Sequence, residues 1–289
     1  MIVLTTPTGN IGSQVLRGLL ARSISPLRLI VRDPMRLPVQ LPSDIEIIQG
    51  NTNDPAVLRR ALKGAKALFW CQPDTPAAEN YLQAYEDWST IAGEAIRESE
   101  IPHVVAISGA GEKPPVPAGP ASGLHRMEEI FSQSHASFRF LRCGSFYSNL
   151  LGDWESITRN GEFFGCIPGN QPAPHLAVED ISRVAVDLLS DLSWKGNQAL
   201  QLLGPHDMSF DEMASELTLK IGRDVQYKQM PAAEFKDIVM QSGMSDSGAQ
   251  SLLDIADYLT NHYKTVPGVD RSITPTTFAQ WLDRLPSGM

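Results

Sequence analysis

At 289 residues, 42% hydrophobic and 20% charged, the chain is long enough for one large α/β domain or a domain with a smaller lobe. Its net charge of −9 argues against a general affinity for nucleic acid, and no apolar run approaches the roughly 20 residues of a membrane span. Three widely spaced cysteines, Cys71, Cys143 and Cys166, outline neither a zinc site nor a disulfide framework, so no metal is expected.

The first stretch organises the rest. Ile2, Val3 and Leu4 read as a buried strand that leaves no room for a secretory leader, and a reducing cytoplasm is the expected compartment. Thr5-Thr6-Pro7-Thr8-Gly9-Asn10-Ile11-Gly12 follows, and then Ile11, Val15 and Leu19 recur at helical spacing. A strand, a tight glycine turn and a helix form a dinucleotide site when helix-terminal N–H groups meet a pyrophosphate. The spacing is that of a glycine fingerprint, but Thr6 holds the first glycine position. Thr6, Thr8, Gly9, Asn10, Ile11 and Gly12 are therefore the expected cofactor contacts. A purely structural βα turn is the alternative.

A second strand, Leu27–Val31, ends in Arg32-Asp33-Pro34, with Arg36 close behind. Arg32 lies twenty residues after Gly12, where such folds read the adenosine ribose. A guanidinium there suits the 2′-phosphate of NADP, whereas an acid suits the free hydroxyl of NAD. Two basic groups favour NADP(H), with NAD(H) also admissible; an ordinary solvated charge cluster is the plain alternative. Residues 45–48 form a third strand, and Asp54-Pro55 caps a helix running through Leu62. Asn51 and Thr52 sit where a loop would touch adenine. Residues 67–71 form a fourth strand, ending at Gln72 and Pro73 on the carboxyl edge where ligands gather.

A long helix over 77–99 carries Tyr81, Tyr85, Trp88 and Ile91, aromatics expected to pack as core. A fifth strand over 104–107 precedes Ser108-Gly109-Ala110-Gly111, and the four prolines within 112–120 indicate a surface loop. A helix over 123–133 and a sixth strand over 138–141 complete an alternation that predicts a Rossmann-type, doubly wound parallel sheet. Residues 1–150 are the expected dinucleotide domain, to which 178–203 returns. Residues 151–177 and 204–289 form a smaller, mainly helical lobe, including Ser209-x-x-Glu212 at capping-box spacing and helices over 232–241, 249–261 and 274–285. Tyr147, Asn149 and Trp154 are candidate pocket walls, against plain packing between lobes. Met240 and Met244 would fill core or adapt to a ligand.

Several segments together resemble the NmrA-like branch of atypical short-chain dehydrogenases. They are Thr8 to Gly12, Val31-Arg32-Asp33-Pro34, Gly50 to Pro55, and Leu141-Arg142-x-Gly-x-Phe146-x-x-Asn149-Leu150. Val178-Glu179-Asp180-Ile181, Leu203-Gly204-Pro205 and Ile221-Gly222-Arg223 continue the series. Within that branch the chain resembles NADPH-dependent quinone oxidoreductases, azoreductases and triphenylmethane reductases. The resemblance implies a substrate held between a Rossmann domain and a C-terminal lobe.

The chain departs from that pattern at the Tyr-x-x-x-Lys pair, whose positions fall near Pro120 and Leu124, neither capable of acid–base work. His125, one residue from the lysine position, is a candidate, as is Ser108 at the place of the superfamily's active-site serine. Tyr147 completes the expected catalytic set. Hydride delivery to a quinone or cationic dye needs mainly alignment and exclusion of water, because water can supply any proton. The expected activity is thus NAD(P)H-dependent reduction of a planar aromatic or quinone-like small molecule. The alternatives are an NAD(P)-sensing regulator with a protein partner and no turnover, or a biosynthetic enzyme of non-redox chemistry.

Overall fold

The computed structural model describes residues 1–37 and 41–285. Its first half alternates strand and helix: β1 (Ile2–Leu4), α1 (Asn10–Ala21), β2 (Leu27–Val31), β3 (Glu46–Gln49), α2 (Pro55–Leu62), β4 (Ala67–Trp70), α3 (Tyr81–Ser99), β5 (His103–Gly109), α4 (Pro120–Phe131) and β6 (Ser137–Cys143). Two-residue β7 (Ser145–Phe146) leads into a 3-10 segment, Tyr147–Asp153, followed by α5 (Trp154–Asn160), β8 (Glu162–Gly165) and β9 (Ala173–Leu176). Then come α6 (Val178–Ser190), β10 (Gln198–Leu202), β11 (Asp207–Met208), α7 (Phe210–Ile221), β12 (Gln226–Gln229), α8 (Ala232–Gln241), α9 (Asp246–Asp257) and α10 (Phe278–Asp283).

The main sheet has the order β10-β6-β5-β4-β1-β2-β3, and every pairing in it is parallel. Both faces are covered, so the strands are apolar at successive residues and not only at alternate ones. Val3, Leu68, Trp70, Val104 and Ala106 point to the face packed by α2, α3 and α4. Ile2, Leu4, Phe69, Val105 and Ile107 point to the opposite face, beneath α1 and α6. Full burial of such a side chain contributes about 1.5–3 kcal/mol. The strand order reverses between β1 and β4. Thr5 sits just past the end of β1, donating to the Phe69 carbonyl at 3.0 Å and accepting from the Cys71 N–H at 2.9 Å.

The second half gathers round a separate apolar cluster that includes Phe163, Leu217, Phe278, Trp281 and Leu282. It contains a three-stranded sheet, β11-β9-β7, and the two-stranded pair β12-β8. Phe163-Phe164 between Gly161 and Gly169 suggests a short strand and turn, and β8 lies there; β7, β9, β11 and β12 carry no readable signal, because two to four residues are too few for a periodic pattern. The Ser209/Glu212 capping box forms as expected, and Asp54 caps α2. Helix α4 starts three residues before the expected Gly123, because Pro120 is accommodated in its first turn. Helix α10 is shorter than 274–285, since Thr277 and Gln280 build a capping box and set its start. Helix α9 starts at Asp246, capped by Ser245, and passes into a π turn, Tyr258–His262. Met240 lies exposed on α8, which has no buried residue among those described.

Candidate active site

The turn after β1 is shaped by backbone. Thr6 takes a left-handed conformation, φ 48°, in the slot where the fingerprint has glycine. Its carbonyl accepts the Gly9 N–H at 2.9 Å. A Cβ at Gly12 would stand 2.1 Å from that same Thr6 oxygen, so the third glycine position admits nothing larger. Gly9 caps α1 without a side-chain hydrogen bond, and the N-terminal end of the helix keeps its donors and its positive dipole for a ligand. The residues present fit a dinucleotide diphosphate. Thr8 and Asn10 are exposed, Thr6 and Gly9 half-buried, and Ile11 and Gly12 buried. The Asn10 amide donates to the Ser148 hydroxyl at 2.8 Å, joining this turn to the segment that opens the second half.

At the end of β2, Arg32 and Arg36 are both exposed, and neither forms an ion pair among the described residues. Asp33 is engaged locally: its carboxylate accepts the Met35 N–H at 3.0 Å and caps the following 3-10 turn. Asn51 is half-buried, but Thr52 is core, its hydroxyl accepting the Trp88 indole N–H at 3.2 Å. The expectation of an adenine contact at Thr52 is corrected by that bond. Gln72 is buried with its amide turned to α3, donating to the Tyr85 carbonyl at 3.0 Å and accepting from Ser89 at 2.9 Å. Pro73 is half-buried beside it.

From Ile11 a cavity of about 410 Å³ runs across the carboxyl ends of β4, β5 and β6. Its floor includes Cys71, Ser108 and Cys143; α4 presents Pro120, Ala121 and Leu124; α9 and its π turn roof it with Leu252, Ile255 and Tyr258. The roof is seated through backbone. A Cβ at Gly119 (φ 49°) would lie 2.0 Å from the Ser251 oxygen, and one at Gly248 would lie 2.2 Å from the Pro76 oxygen. Burial pushes the Cys71 thiol up to about 11 and raises Cys143 as well, so both stay thiols at neutral pH.

Pro120 and Leu124, the positions of the missing Tyr and Lys, do face the cavity. Ser108 lines it too, but its hydroxyl donates to the Glu128 carboxylate. Arg142 grips that carboxylate from Nε at 3.0 Å and Nη2 at 2.8 Å. With its proton committed to Glu128, Ser108 offers the cavity an acceptor and not an acid.

His125 lies beside this pair, buried among α4 contacts and absent from the cavity lining, neither a surface histidine nor a wall residue. Burial pushes its pKa down, with Arg142 adding to the effect and Glu128 opposing it. Tyr147 is also displaced from its expected role. It is fully buried in the second half between Phe278 and Trp281, its hydroxyl 3.5 Å from the Thr276 carbonyl. Trp154 packs on the same cluster, whereas Asn149 does line the cavity.

Several wall residues escape sequence reading. Trp88 and Ile91 pack in the core under α3, whereas Tyr81 and Tyr85, buried as expected of core, also line the cavity wall. Their signal is an i, i+4 aromatic pair at the start of the helix that follows a strand's carboxyl edge. Asp74, Tyr258 and Tyr263 carry no local signal at all. Asp74 Oδ1 accepts the Tyr81 hydroxyl at 2.8 Å, and burial raises the Tyr263 phenol to about 12. No helix among the described residues is long and apolar enough to cross a membrane, and no His, Cys, Asp or Glu cluster there could hold a metal ion.

Comparison with known proteins agrees with this geometry. The chain is 28% identical over 274 residues to an NAD(P)H azoreductase of Xenophilus azovorans, covering 93% of this chain and 92% of the relative. In fold it is similar to an Escherichia coli NADPH-dependent quinone oxidoreductase complexed with NADPH, with TM-score 0.79, 22% identity and 99% of each chain covered. It is likewise similar to the Citrobacter sp. triphenylmethane reductase complexed with NADP(H), with TM-score 0.80, 19% identity, and 98% of this chain and 99% of that one covered. Residues 7–191 match the NAD(P)H-binding family, to which this chain belongs.

Proposed function

We propose that the protein is an NAD(P)H-dependent oxidoreductase that reduces a planar aromatic or quinone-like small molecule. The observation that carries this reading is the continuity of the cavity, from Ile11 at the phosphate-binding turn to walls made largely of aromatic and aliphatic side chains. The azoreductase likeness over most of the chain supports it.

Thr6, Thr8, Gly9, Asn10, Ile11 and Gly12 would hold the diphosphate. Arg32 and Arg36 would pair with a 2′-phosphate, favouring NADP(H) over NAD(H), because Asp33 is occupied as a cap. Bound there, a reduced nicotinamide supplies hydride. The chain's own contribution is to align an acceptor along Ser108, Tyr81, Tyr85 and the α9 roof and to keep water away. Residues 1–150 with 178–203 serve the dinucleotide and also supply most of the acceptor wall, and the second lobe, 151–177 with 204–289, closes over it through α9 and its π turn. Three free thiols accord with a reducing cytoplasm.

The apolar Pro120 and Leu124 favour a second reading, a dinucleotide sensor without turnover. The test mixes purified protein with NADPH and either menadione or an azo dye. Loss of nicotinamide absorbance is the expected result. Tight NADPH binding with no oxidation across a broad acceptor panel would overturn the enzymatic reading in favour of the sensor.

A further inference from the structure

We infer that Tyr85 is a catalytic residue, whose phenol hydrogen-bonds the oxyanion formed when a quinone-like acceptor takes up hydride. The assignment rests on the oxidoreductase reading and deepens it. An acceptor that gains hydride takes one hydrogen and two electrons, and one of its oxygens keeps negative charge until a solvent proton neutralises it. The hydride comes from a reduced nicotinamide. A hydrogen-bond donor fixed at that oxygen in an apolar chamber stabilises the charge as it develops, with no reorganisation needed.

Most polar groups of the wall are unsuited to that task. Pro120, Ala121 and Leu124 make the α4 side apolar. Ser108 donates to Glu128 and Tyr81 donates to Asp74, so both protons are committed. Ser145 and Asn149 lie past the end of β6, with β5 between them and β4. The Tyr263 hydroxyl is enclosed, and the Tyr258 hydroxyl belongs to the roof, 3.7 Å from where a Cβ on Gly111 would stand. Tyr85 differs from all of these. Its hydrogen bonds with other side chains run through its backbone carbonyl, which accepts the Gln72 amide at 3.0 Å and the Ser89 hydroxyl at 2.8 Å. Among the described residues its hydroxyl therefore has no partner. Burial, then the Asp74 carboxylate and the Cys71 thiol, hold this phenol above the usual tyrosine range, so it keeps its proton. Cys71 in turn donates its N–H to Thr5 at 2.9 Å, which sets this part of the wall beside the phosphate-binding turn.

The surroundings of Tyr85 also fix its ring. Tyr81 packs on it with ring centroids 5.5 Å apart, and the 2.8 Å bond to Asp74 holds Tyr81 in turn. The ring lies as well against bare backbone of α4, where a Cβ at Gly123 would come 2.8 Å from Tyr85 Cδ1 and 2.9 Å from its Cγ. Glycine in mid-helix weakens the helix relative to alanine, and here it makes the room that seats this ring. A donor locked by its neighbours in this way is preorganised for a developing charge.

The test follows NADPH oxidation by menadione and, separately, titrates the NADP⁺-loaded protein with lawsone, a naphthoquinone whose hydroxyl is ionised at neutral pH. Tyr85→Phe keeps the ring and removes only the donor. Its kcat should fall about 100-fold, while KM for menadione and the affinity for NADPH change by less than about threefold. Lawsone binding, which needs no turnover, should weaken about tenfold in the same variant. Gly123→Ala should lower kcat about tenfold by displacing the ring, yet cost less than about twofold when added to Tyr85→Phe. A kcat for Tyr85→Phe within about threefold of wild type, a loss confined to KM, or unchanged lawsone affinity overturns the assignment and leaves the oxidoreductase intact. No oxidation of NADPH by any acceptor overturns the enzymatic reading itself, and the lawsone titration then still decides whether Tyr85 holds an oxyanion.

Discussion

The two ends of the cavity are made differently. At the dinucleotide end, recognition rests on backbone: the turned Thr6, the bare Gly12, the uncapped start of α1. At the acceptor end it rests on side chains drawn from β4, β5, α3, α4, α9 and the π turn, brought together only by the completed fold. A backbone cradle tolerates few substitutions and must keep its spacing. A wall of side chains can be exchanged piece by piece without altering the scaffold.

The sharpest way to break that contrast is Gly12→Ala. The added Cβ would lie 2.1 Å from the Thr6 oxygen, and NADPH affinity should fall at least about 100-fold, or roughly 2.7 kcal/mol, in a calorimetric titration. A folded variant that binds NADPH normally would show that the turn does not hold the diphosphate.

Next comes the acid response of the second half. His175 in β9 donates from Nδ1 to the Ala173 carbonyl at 2.9 Å, and burial pushes its pKa down from 6.5 to about 4. As pH falls from 6.5 towards 4 the unfolded chain takes up a proton that the folded chain refuses, so stability is lost across that window and no further below it. The full loss is at most about 3 kcal/mol. Denaturant melts at stepped pH should show it, and His175→Gln should flatten that part of the profile. A wild-type curve with no slope there would place His175 in a more open environment.

Arg32→Ala tests the ribose end. NADP(H) affinity should drop about tenfold, the scale of one charge-assisted contact, and NADH affinity should change little. Equal weakening of both would remove the 2′-phosphate contact from the account. The smallest effect belongs to Tyr147→Phe, whose hydroxyl has only the 3.5 Å contact to Thr276. Stability should change by less than about 1 kcal/mol and kcat by less than twofold. A tenfold loss of kcat at unchanged stability would return Tyr147 to the chemistry.

The same contrast explains what could be read from the residues alone. The strands and helices of the first half are legible because each buries a periodic face: Val3 and Leu68 on one side of the sheet, Leu4 and Phe69 on the other. The turn is legible because its glycines follow from local backbone geometry. Asp74, Tyr258 and Tyr263 are not, since nothing near them in the chain records that α9 folds back against α3 and α4. Tyr147 misled for a related reason: an aromatic next to a sheet's carboxyl edge serves packing as readily as catalysis, and only Phe278 and Trp281, more than a hundred residues away, decide which.

The glycine seats beneath α9 set how the ceiling of the acceptor chamber can respond to change. Because Gly119 and Gly248 bring main chain against main chain, the headroom is fixed by atoms that no side-chain exchange removes. Trimming Leu252 or Ile255 therefore widens the chamber locally without lowering or tilting its cover. Bulkier dyes are best admitted by carving that surface, and enlarging either glycine would lift the whole helix.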